Sequence, residues 1–282
     1  MSPVVPPPPR RLGVLGWPVA HSRSPAMHEA AYAALGLTDW RYQRLPVPPD
    51  LLAETVRALE GAGFAGANVT IPHKEAALAL AHEATREARE IGAANTLHFG
   101  GGRIRAENTD APGLMAALAE AAEGRDAVAG ARVLVLGAGG SARAAVWALT
   151  RAGAAEVMVW NRTPARAQEL CTMLGARLVH QAEPADMLVN CTSVGLLDPG
   201  ETFKELPLAA DTVGNFCYVI DLAYREGDTA LVRAAQERGV TTVSGLDVLV
   251  HQGALSLESW LGRRAPIDAM REGALHPPSM PD

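Results

Sequence analysis

Short apolar runs alternate with longer stretches of helical periodicity along this chain, a pattern that predicts an α/β protein. In the first part, residues 12–15, 40–47, 64–71 and 93–97 read as strands. Between them the spacing predicts a helix over 25–35 stopped at Gly36, another over 50–60 capped by Asp50, and a long one over 75–91. Gly100 to Gly102 reads as a hairpin turn, whose return strand ends at Glu107-Asn108-Thr109-Asp110 before a helix to about residue 122. After a polar connector at 124–130 the alternation becomes regular. Strands are expected at 133–136, 156–160, 186–190, 219–221 and 241–243, with helices at 141–152, 164–174 and 229–238. Such units build a parallel, doubly wound sheet. A final apolar-faced helix over 246–261 is expected to return to the first domain. The fold predicted is therefore two α/β domains with a cleft between them: residues 1–111 completed by 246–282, and a Rossmann-type parallel-sheet domain over 112–245.

Composition changes this picture little. With 282 residues the chain is long enough for two modest domains, and 48% hydrophobic with 20% charged residues is an ordinary globular balance. A net charge of −6 argues against a nucleic-acid surface. No apolar run approaches a membrane span, and Pro6 to Pro9 read as a disordered or polyproline lead-in rather than a secretory segment. Three cysteines without a Cys-x-x-Cys pair suit a reducing cytoplasm, and eight scattered histidines supply no metal spacing.

The candidate chemistry starts at the strand over 133–136. It runs into Gly137-Ala138-Gly139-Gly140-Ser141-Ala142-Arg143 and then a helix. Two glycines allow a tight turn and close approach of a pyrophosphate, and a small residue lets helix and strand pack. The helix N-terminus favours phosphate. An NAD site would place an acidic residue about 20 residues onward, at the end of the next strand, to bind the ribose hydroxyls. Here that strand ends in Asn161-Arg162-Thr163, with Arg166 following. A carboxylate would repel a 2′-phosphate, whereas guanidinium groups hydrogen-bond it. The cofactor expected is NADP.

Three polar clusters lie nearer the N-terminus. In His21-Ser22-Arg23-Ser24-Pro25, the plainer reading makes Ser24 a hydroxyl N-cap before a proline. The sharper one makes two hydroxyls and free helix amides a carboxylate pocket. Pro72-His73-Lys74 puts a lysine at a helix start, where the dipole disfavours its charge. Such a lysine is either solvated scaffold or chemistry. Asp110 reads locally as a turn or cap carboxylate, and Asn190-Cys191-Thr192-Ser193-Val194-Gly195 follows a strand's carboxyl end, where such folds bind ligands.

Taken together, His21 to Pro25, Gly66-Ala-Asn-Val-Thr-Ile-Pro-His-Lys74, Asn95-Thr96, Glu107 to Asp110, Gly137 to Arg143, Asn161 to Thr163 and Gly245 to Gln252 resemble the shikimate dehydrogenase family. The blocks stand in the family's order from about residue 12 to 262. The resemblance implies an NADP-dependent oxidoreductase interconverting 3-dehydroshikimate and shikimate on the route to aromatic amino acids. It implies that Ser22 and Ser24 hold the substrate carboxylate, and that Thr70, Asn95, Asp110 and Gln252 bind ring hydroxyls with Asn68 and Tyr224 nearby. Lys74 and Asp110 become the catalytic pair at the reacting C3 oxygen. Arg143, Asn161, Arg162, Thr163 and Arg166 become adenosine-phosphate contacts, beside the turn from Gly137 through Ala138, Gly139 and Gly140 to Ser141. Thr192, Ser193, Leu222 and Gly245 would line the nicotinamide end. A homodimer is one assembly the resemblance allows, and the oligomeric state stays open.

Departures from the family are Glu29, where many members carry Asn or Gln, Val248 in place of Met, and Ser141 in place of Ala. Three alternatives stand beside this reading. A quinate/shikimate dehydrogenase is opposed by Asn161-Arg162-Thr163 and by the serine pair. A catalytically silent NADP-binding protein is opposed by retention of both Lys74 and Asp110. A tetrahydrofolate-type dehydrogenase is opposed by the serine pair.

Overall fold

The computed structural model describes residues 10–196 and 198–277; the proline-rich lead-in at Pro6 to Pro9 lies outside the described residues. The chain divides into two compact units. One takes the described residues through Arg89, Ala93–Asn108 and the described residues from Gly253 onward; the other takes Glu90–Gly92 and Thr109–Gln252.

The first unit carries strands β1 (Arg10–Gly16), β2 (Trp40–Pro46), β3 (Gly66–Val69), β4 (Glu83–Ala84), β5 (Thr96–Gly100) and β6 (Arg103–Glu107), with helices α1 (Ser24–Leu35), α2 (Leu52–Ala58), α3 (Lys74–Leu80) and α4 (Arg86–Ile91). The strands form one sheet in the order β2-β1-β3-β5-β6-β4. β1 runs parallel to β2 and β3, whereas β5 is antiparallel to both β3 and β6. Gly101 and Gly102 both have positive φ (62° and 73°), and Gly100 pairs with Arg103. This is a two-residue turn of the kind that matches strand twist, and it needs residues free to adopt φ > 0.

Three local expectations fail here. The helix expected over 75–91 is broken into α3 and α4 with β4 between them. Ala81 turns extended (φ −75°, ψ 138°), and the amides of His82 and Thr85 donate to Ile104 O and Ala106 O of β6 at 2.9 and 3.0 Å. The open edge of β6 offers that segment a ladder, and the Thr85 hydroxyl then accepts the Ala88 amide at 3.2 Å as a fresh helix start. Asp50, expected as a cap, sits inside a short 3-10 turn, Pro49–Leu51, and α2 begins after it without a side-chain cap. Ser24 likewise is the first helical residue rather than the cap, which is Arg23.

The second unit carries α5 (Asp110–Ala121), β7 (Arg132–Leu136), α6 (Gly140–Arg151), β8 (Glu156–Trp160), α7 (Pro164–Leu174), β9 (Arg177–Leu178), β10 (Met187–Asn190), α8 (Thr202–Glu205), β11 (Tyr218–Asp221), α9 (Ala230–Gln236) and β12 (Thr241–Ser244). The sheet order is β12-β11-β10-β7-β8-β9, with every pairing parallel. Alternate residues serve opposite faces: Val133, Val135, Val157, Val159 and Val189 enter one core, and Leu134, Leu136, Met158 and Leu188 the other. Both faces are thus covered, as a wholly parallel sheet requires. The chain winds one way from β7 to β9 and the other from β10 to β12, so β7 and β10 flank the switch point where such folds take ligands.

α10 (Gly245–Leu261) starts in the second unit and ends in the first, and α11 (Ile267–Leu275) follows. Within the first unit, Gly253 admits Met27 and the Trp260 indole donates to Leu97 O at 3.1 Å. A Cβ at Gly66 would strike Leu97 O at 2.5 Å as well as that indole.

Candidate functional site

In the first unit, the loop after β1 is tied down by its backbone. The Trp17 amide donates to Ile71 O at 3.0 Å and the Ser22 amide to Val19 O at 3.0 Å. Arg44 grips Ser22 O through Nε and Nη2 at 3.0 and 2.7 Å, and Ser22 Oγ accepts the Ser24 amide at 3.3 Å. Both serines are buried at the start of α1. Arg23 between them turns away, its Nη1 donating to Ala274 O at 2.8 Å and so satisfying the carbonyl end of α11.

The segment after β3 lies alongside. The Thr70 amide donates to Leu15 O at 2.8 Å, and Gly16 has no room for a Cβ because Thr70 Cγ2 would lie 2.5 Å from it. Lys74 opens α3 and is buried, while its neighbour His73 contacts Val47 O through Nε2 at 2.7 Å. Lys74 O accepts the Ala94 amide at 2.9 Å and Asn95 O the Val69 amide at 2.8 Å. Two chain crossings therefore bring Lys74 and the buried Asn95 to the same end of the sheet as Thr70.

Asn68 is spoken for by the protein. Its Oδ1 accepts the Tyr42 hydroxyl at 2.7 Å, and its Nδ2 donates to Asn95 O at 3.1 Å, Thr96 Oγ1 at 3.3 Å and Ser256 Oγ at 2.9 Å. It ties β2, β3, β5 and α10 together within the first unit. Glu29, the departure in α1, accepts the Tyr42 amide through Oε1 at 3.1 Å and so satisfies a donor on the outer side of β2.

In the second unit, Asp110 is the first residue of α5, without a capping hydroxyl before it. Gln252 is buried on α10, its Nε2 donating to Leu249 O at 2.8 Å. The two helices approach closely, since a Cβ at Gly113 would lie 2.6 Å from Gln252 Cβ and 2.7 Å from its amide nitrogen. Tyr224 lies half-buried in the chain after β11.

The turn after β7 has the shape expected. Gly137 holds φ +111°, and a Cβ there would stand 3.1 Å from the Cys191 carbonyl. At Gly139 a Cβ would meet nothing within 4 Å, leaving open space before the first amides of α6. That open cradle at a helix N-terminus fits a pyrophosphate. Asn161 follows β8, its Nδ2 donating to Thr163 O at 2.9 Å. Arg162 is 86% exposed, 3.8 Å from Glu205, and Arg166 lies in the first turn of α7. Two exposed guanidiniums beside an uncharged strand end fit a 2′-phosphate. Arg143 is turned inward, its Nη2 donating to Glu169 at 2.8 Å and its Nη1 lying 3.5 Å from Met173 Sδ.

Thr192, Ser193, Leu222 and Gly245 gather after β10, β11 and β12, three adjacent strands. Gly245 approaches Leu222 O so closely that a Cβ would lie 2.6 Å away. Val248 is buried in the core beside them. Sequence reasoning named Asn190 only as the start of a ligand-side segment and gave Asp221 and Thr229 no role, although the three join these loops. The available signal was two polar residues closing neighbouring apolar runs, Leu188-Val189-Asn190 and Val219-Ile220-Asp221. Among the described residues there is no cluster of metal-ligating side chains, and no helix is long and apolar enough to cross a membrane.

Known families match along the chain: the shikimate dehydrogenase substrate binding domain over residues 14–97, shikimate / quinate 5-dehydrogenase over 118–194, and the shikimate 5′-dehydrogenase C-terminal domain over 245–274. A shikimate dehydrogenase (NADP+) of Symbiobacterium thermophilum is 42% identical over 286 residues, spanning 95% of this chain and 94% of its own. Shikimate 5-dehydrogenase of Thermus thermophilus, solved with NADP(H) and shikimate, is 41% identical with a TM-score of 0.82, covering 94% of this chain and 98% of that one. The ligand-free 5-ketofructose reductase of a Gluconobacter strain is more distant at 31% identity and a TM-score of 0.79, covering 94% and 98%. Identity above 40% over almost the whole length has one consequence: the chain belongs to the shikimate dehydrogenase family.

Proposed function

We propose that this chain catalyses the NADP-dependent interconversion of 3-dehydroshikimate and shikimate, a step toward aromatic amino acids. The observation that carries the reading is the placement of Lys74. A lysine is buried at the first position of α3, and its own carbonyl is bonded to the segment that presents Asn95. In this reading NADP supplies or accepts the hydride. The protein's part is to bind, orient and manage a proton.

Ser22 and Ser24 hold the substrate carboxylate, with their backbone fixed by Arg44 and Val19. Thr70, Asn95, Asp110 and Gln252 take the ring hydroxyls, with Tyr224 nearby. Reduction of a ketone builds negative charge on its oxygen, and a protonated lysine at that oxygen both stabilises it and delivers the proton. The Asp110 carboxylate orients the ammonium and binds the neighbouring hydroxyl. Asn68 acts at one remove, since its amide is engaged by Tyr42, Asn95, Thr96 and Ser256. The cradle at Gly137 to Ser141 takes the pyrophosphate, and Arg162 and Arg166 the 2′-phosphate.

The functional division at 111/112 and 245/246 belongs to this proposal, a few residues from the limits of the compact units. So does a cytoplasmic location, which Cys171, Cys191 and Cys217, joined in no disulfide among the described residues, suit. The reading admits a homodimer, which light scattering would register.

The test is an absorbance assay at the reduced nicotinamide band. Shikimate, quinate and each cofactor are compared in the oxidative direction, and 3-dehydroshikimate and 5-ketofructose with NADPH in the other. Shikimate with NADP+, and 3-dehydroshikimate with NADPH, should give the highest kcat/KM. A preference for quinate with NAD+, or for 5-ketofructose, would replace this substrate assignment, and no turnover with any pair would favour a silent binding protein.

A further inference from the structure

Two polar residues close adjacent strands in the second unit. Asn190 ends β10, Asp221 ends β11, and they face one another in register. Both are fully buried. Asp221 Oδ1 accepts the Asn190 Nδ2 at 2.8 Å and the Ala223 amide at 3.1 Å, while Oδ2 accepts the Thr229 hydroxyl at 2.6 Å. Thr229 in turn caps α9 by accepting the Val232 amide at 3.1 Å.

The network continues on the other side of Asn190. Its Oδ1 accepts both the Thr192 amide at 3.1 Å and the Thr192 hydroxyl at 2.7 Å, and Thr192 Oγ1 accepts the Val194 amide at 3.1 Å. The Leu222 amide donates to Asn190 O at 2.9 Å. One carboxylate thus anchors the beginnings of two loops. The first carries Thr192 and Ser193, and the second carries Leu222 and Tyr224.

A buried carboxylate is an expensive way to hold a loop. Burial pushes the Asp221 carboxyl up to about 6, against the pull of its three donors. A neutral residue of this size offers one acceptor oxygen and cannot take all three. The three donors come from three different parts of the chain, so accepting them together is what makes the two loops one body.

We propose that Asp221 is a positioning residue for the nicotinamide half of the cofactor site, acting through Asn190 on Thr192 and through Ala223 and Thr229 on the loop after β11. It touches neither cofactor nor substrate in this role. The inference rests on the reading of this unit as an NADP site, and it adds that the two halves of the cofactor are held by independent machinery. The adenosine half depends on the glycine turn and on Arg162 and Arg166. The nicotinamide half depends on a buried carboxylate that no surface pattern advertises.

The experiment compares two ligands on the full chain by equilibrium titration. One is NADP+, and the other is 2′-phospho-ADP-ribose, which lacks only the nicotinamide. In Asp221→Asn, loss of charged hydrogen bonds should weaken NADP+ binding by about tenfold, with the fragment's dissociation constant unchanged. Asn190→Ala cuts the link to Thr192 while leaving Thr229 and Ala223 on the carboxylate. It should give the same split, and it carries the test if Asp221→Asn does not fold by circular dichroism. Equal weakening of both ligands would reduce Asp221 to a general stabiliser of the unit, and no weakening of either would remove it from the site; both outcomes overturn the proposal. If the unsubstituted protein binds neither ligand, the NADP reading itself fails and the inference falls with it.

Discussion

The His28 imidazole lies flat on the Tyr42 ring, with centroids 4.2 Å apart and planes 4° from parallel. His28 is fully buried in α1, and neither of its ring nitrogens has a hydrogen-bond partner among the described residues. Burial alone pushes its pKa down to about 3. The ring therefore serves as an aromatic slab, neutral at pH values well above 3.

That arrangement makes His28 an acid liability. In the unfolded chain a histidine takes up its proton near pH 6.5, whereas in the fold it does so only near 3. The unfolded state binds more protons between those values, so stability falls as pH drops below about 6.5. The slope from one such group approaches about 1.4 kcal/mol per pH unit. His28→Phe should keep the stack, leave no unpaired nitrogen, and flatten the stability profile between about pH 6.5 and 4.5. Urea melts across that range would show it; parallel profiles for the two proteins would mean that His28 is hydrated or partnered in solution.

Asn68 should behave as a structural residue first. Removing its amide takes an acceptor from the Tyr42 hydroxyl and a donor from Ser256 and Asn95 O, each loss worth about 1–3 kcal/mol when buried. Asn68→Ala should lower the thermal midpoint markedly. A variant with an unchanged midpoint and a steep rise in KM for shikimate would make Asn68 a direct ligand instead.

For Lys74 the expected signature is kinetic. If its ammonium acts mainly on the oxygen that gains charge in the transition state, Lys74→Ala should lower kcat by about 10²–10⁴-fold with a much smaller change in KM. Asp110→Ala should damage both parameters, because that carboxylate also binds a hydroxyl. A steep rise in KM at near-normal kcat for Lys74→Ala would make the lysine a ground-state anchor.

Cofactor choice should reside in Arg162 and Arg166. Arg162 is 86% exposed and, among the described residues, its ion pair is a 3.8 Å contact to Glu205, so its loss costs the fold little. A charged hydrogen bond to phosphate is worth about 1.5–3 kcal/mol, so Arg162→Ala should weaken NADP binding at least about tenfold. NAD binding should barely change. Equal losses for both cofactors, measured by titration, would remove the arginine from phosphate recognition.

What the sequence determined by itself is what short-range physics can write. Apolar runs of strand length, the helix over 164–174, the Gly101-Gly102 turn, and the strand–glycine–helix unit at Gly137 all depend on neighbours a few residues away. The polar clusters were equally legible, because chemistry at a site requires particular side chains at loop and helix starts. Only tertiary structure decided the rest. The 75–91 segment has helical periodicity throughout, yet the edge of β6, contributed from about twenty residues downstream, draws its middle into a ladder. Asn68, expected near the ring hydroxyls, donates to Ser256 on a helix near the other end of the chain, a partner no local pattern announces. That Arg143, expected beside the phosphates, donates to Glu169 on α7 is likewise visible only in the fold. That Asn190, at the start of a ligand-side segment, faces Asp221 was not legible, because the register between two strands about thirty residues apart is set only by the fold. A local pattern states what a segment prefers; which polar groups are spent on the protein and which remain for a ligand depends on partners that only the folded chain brings near.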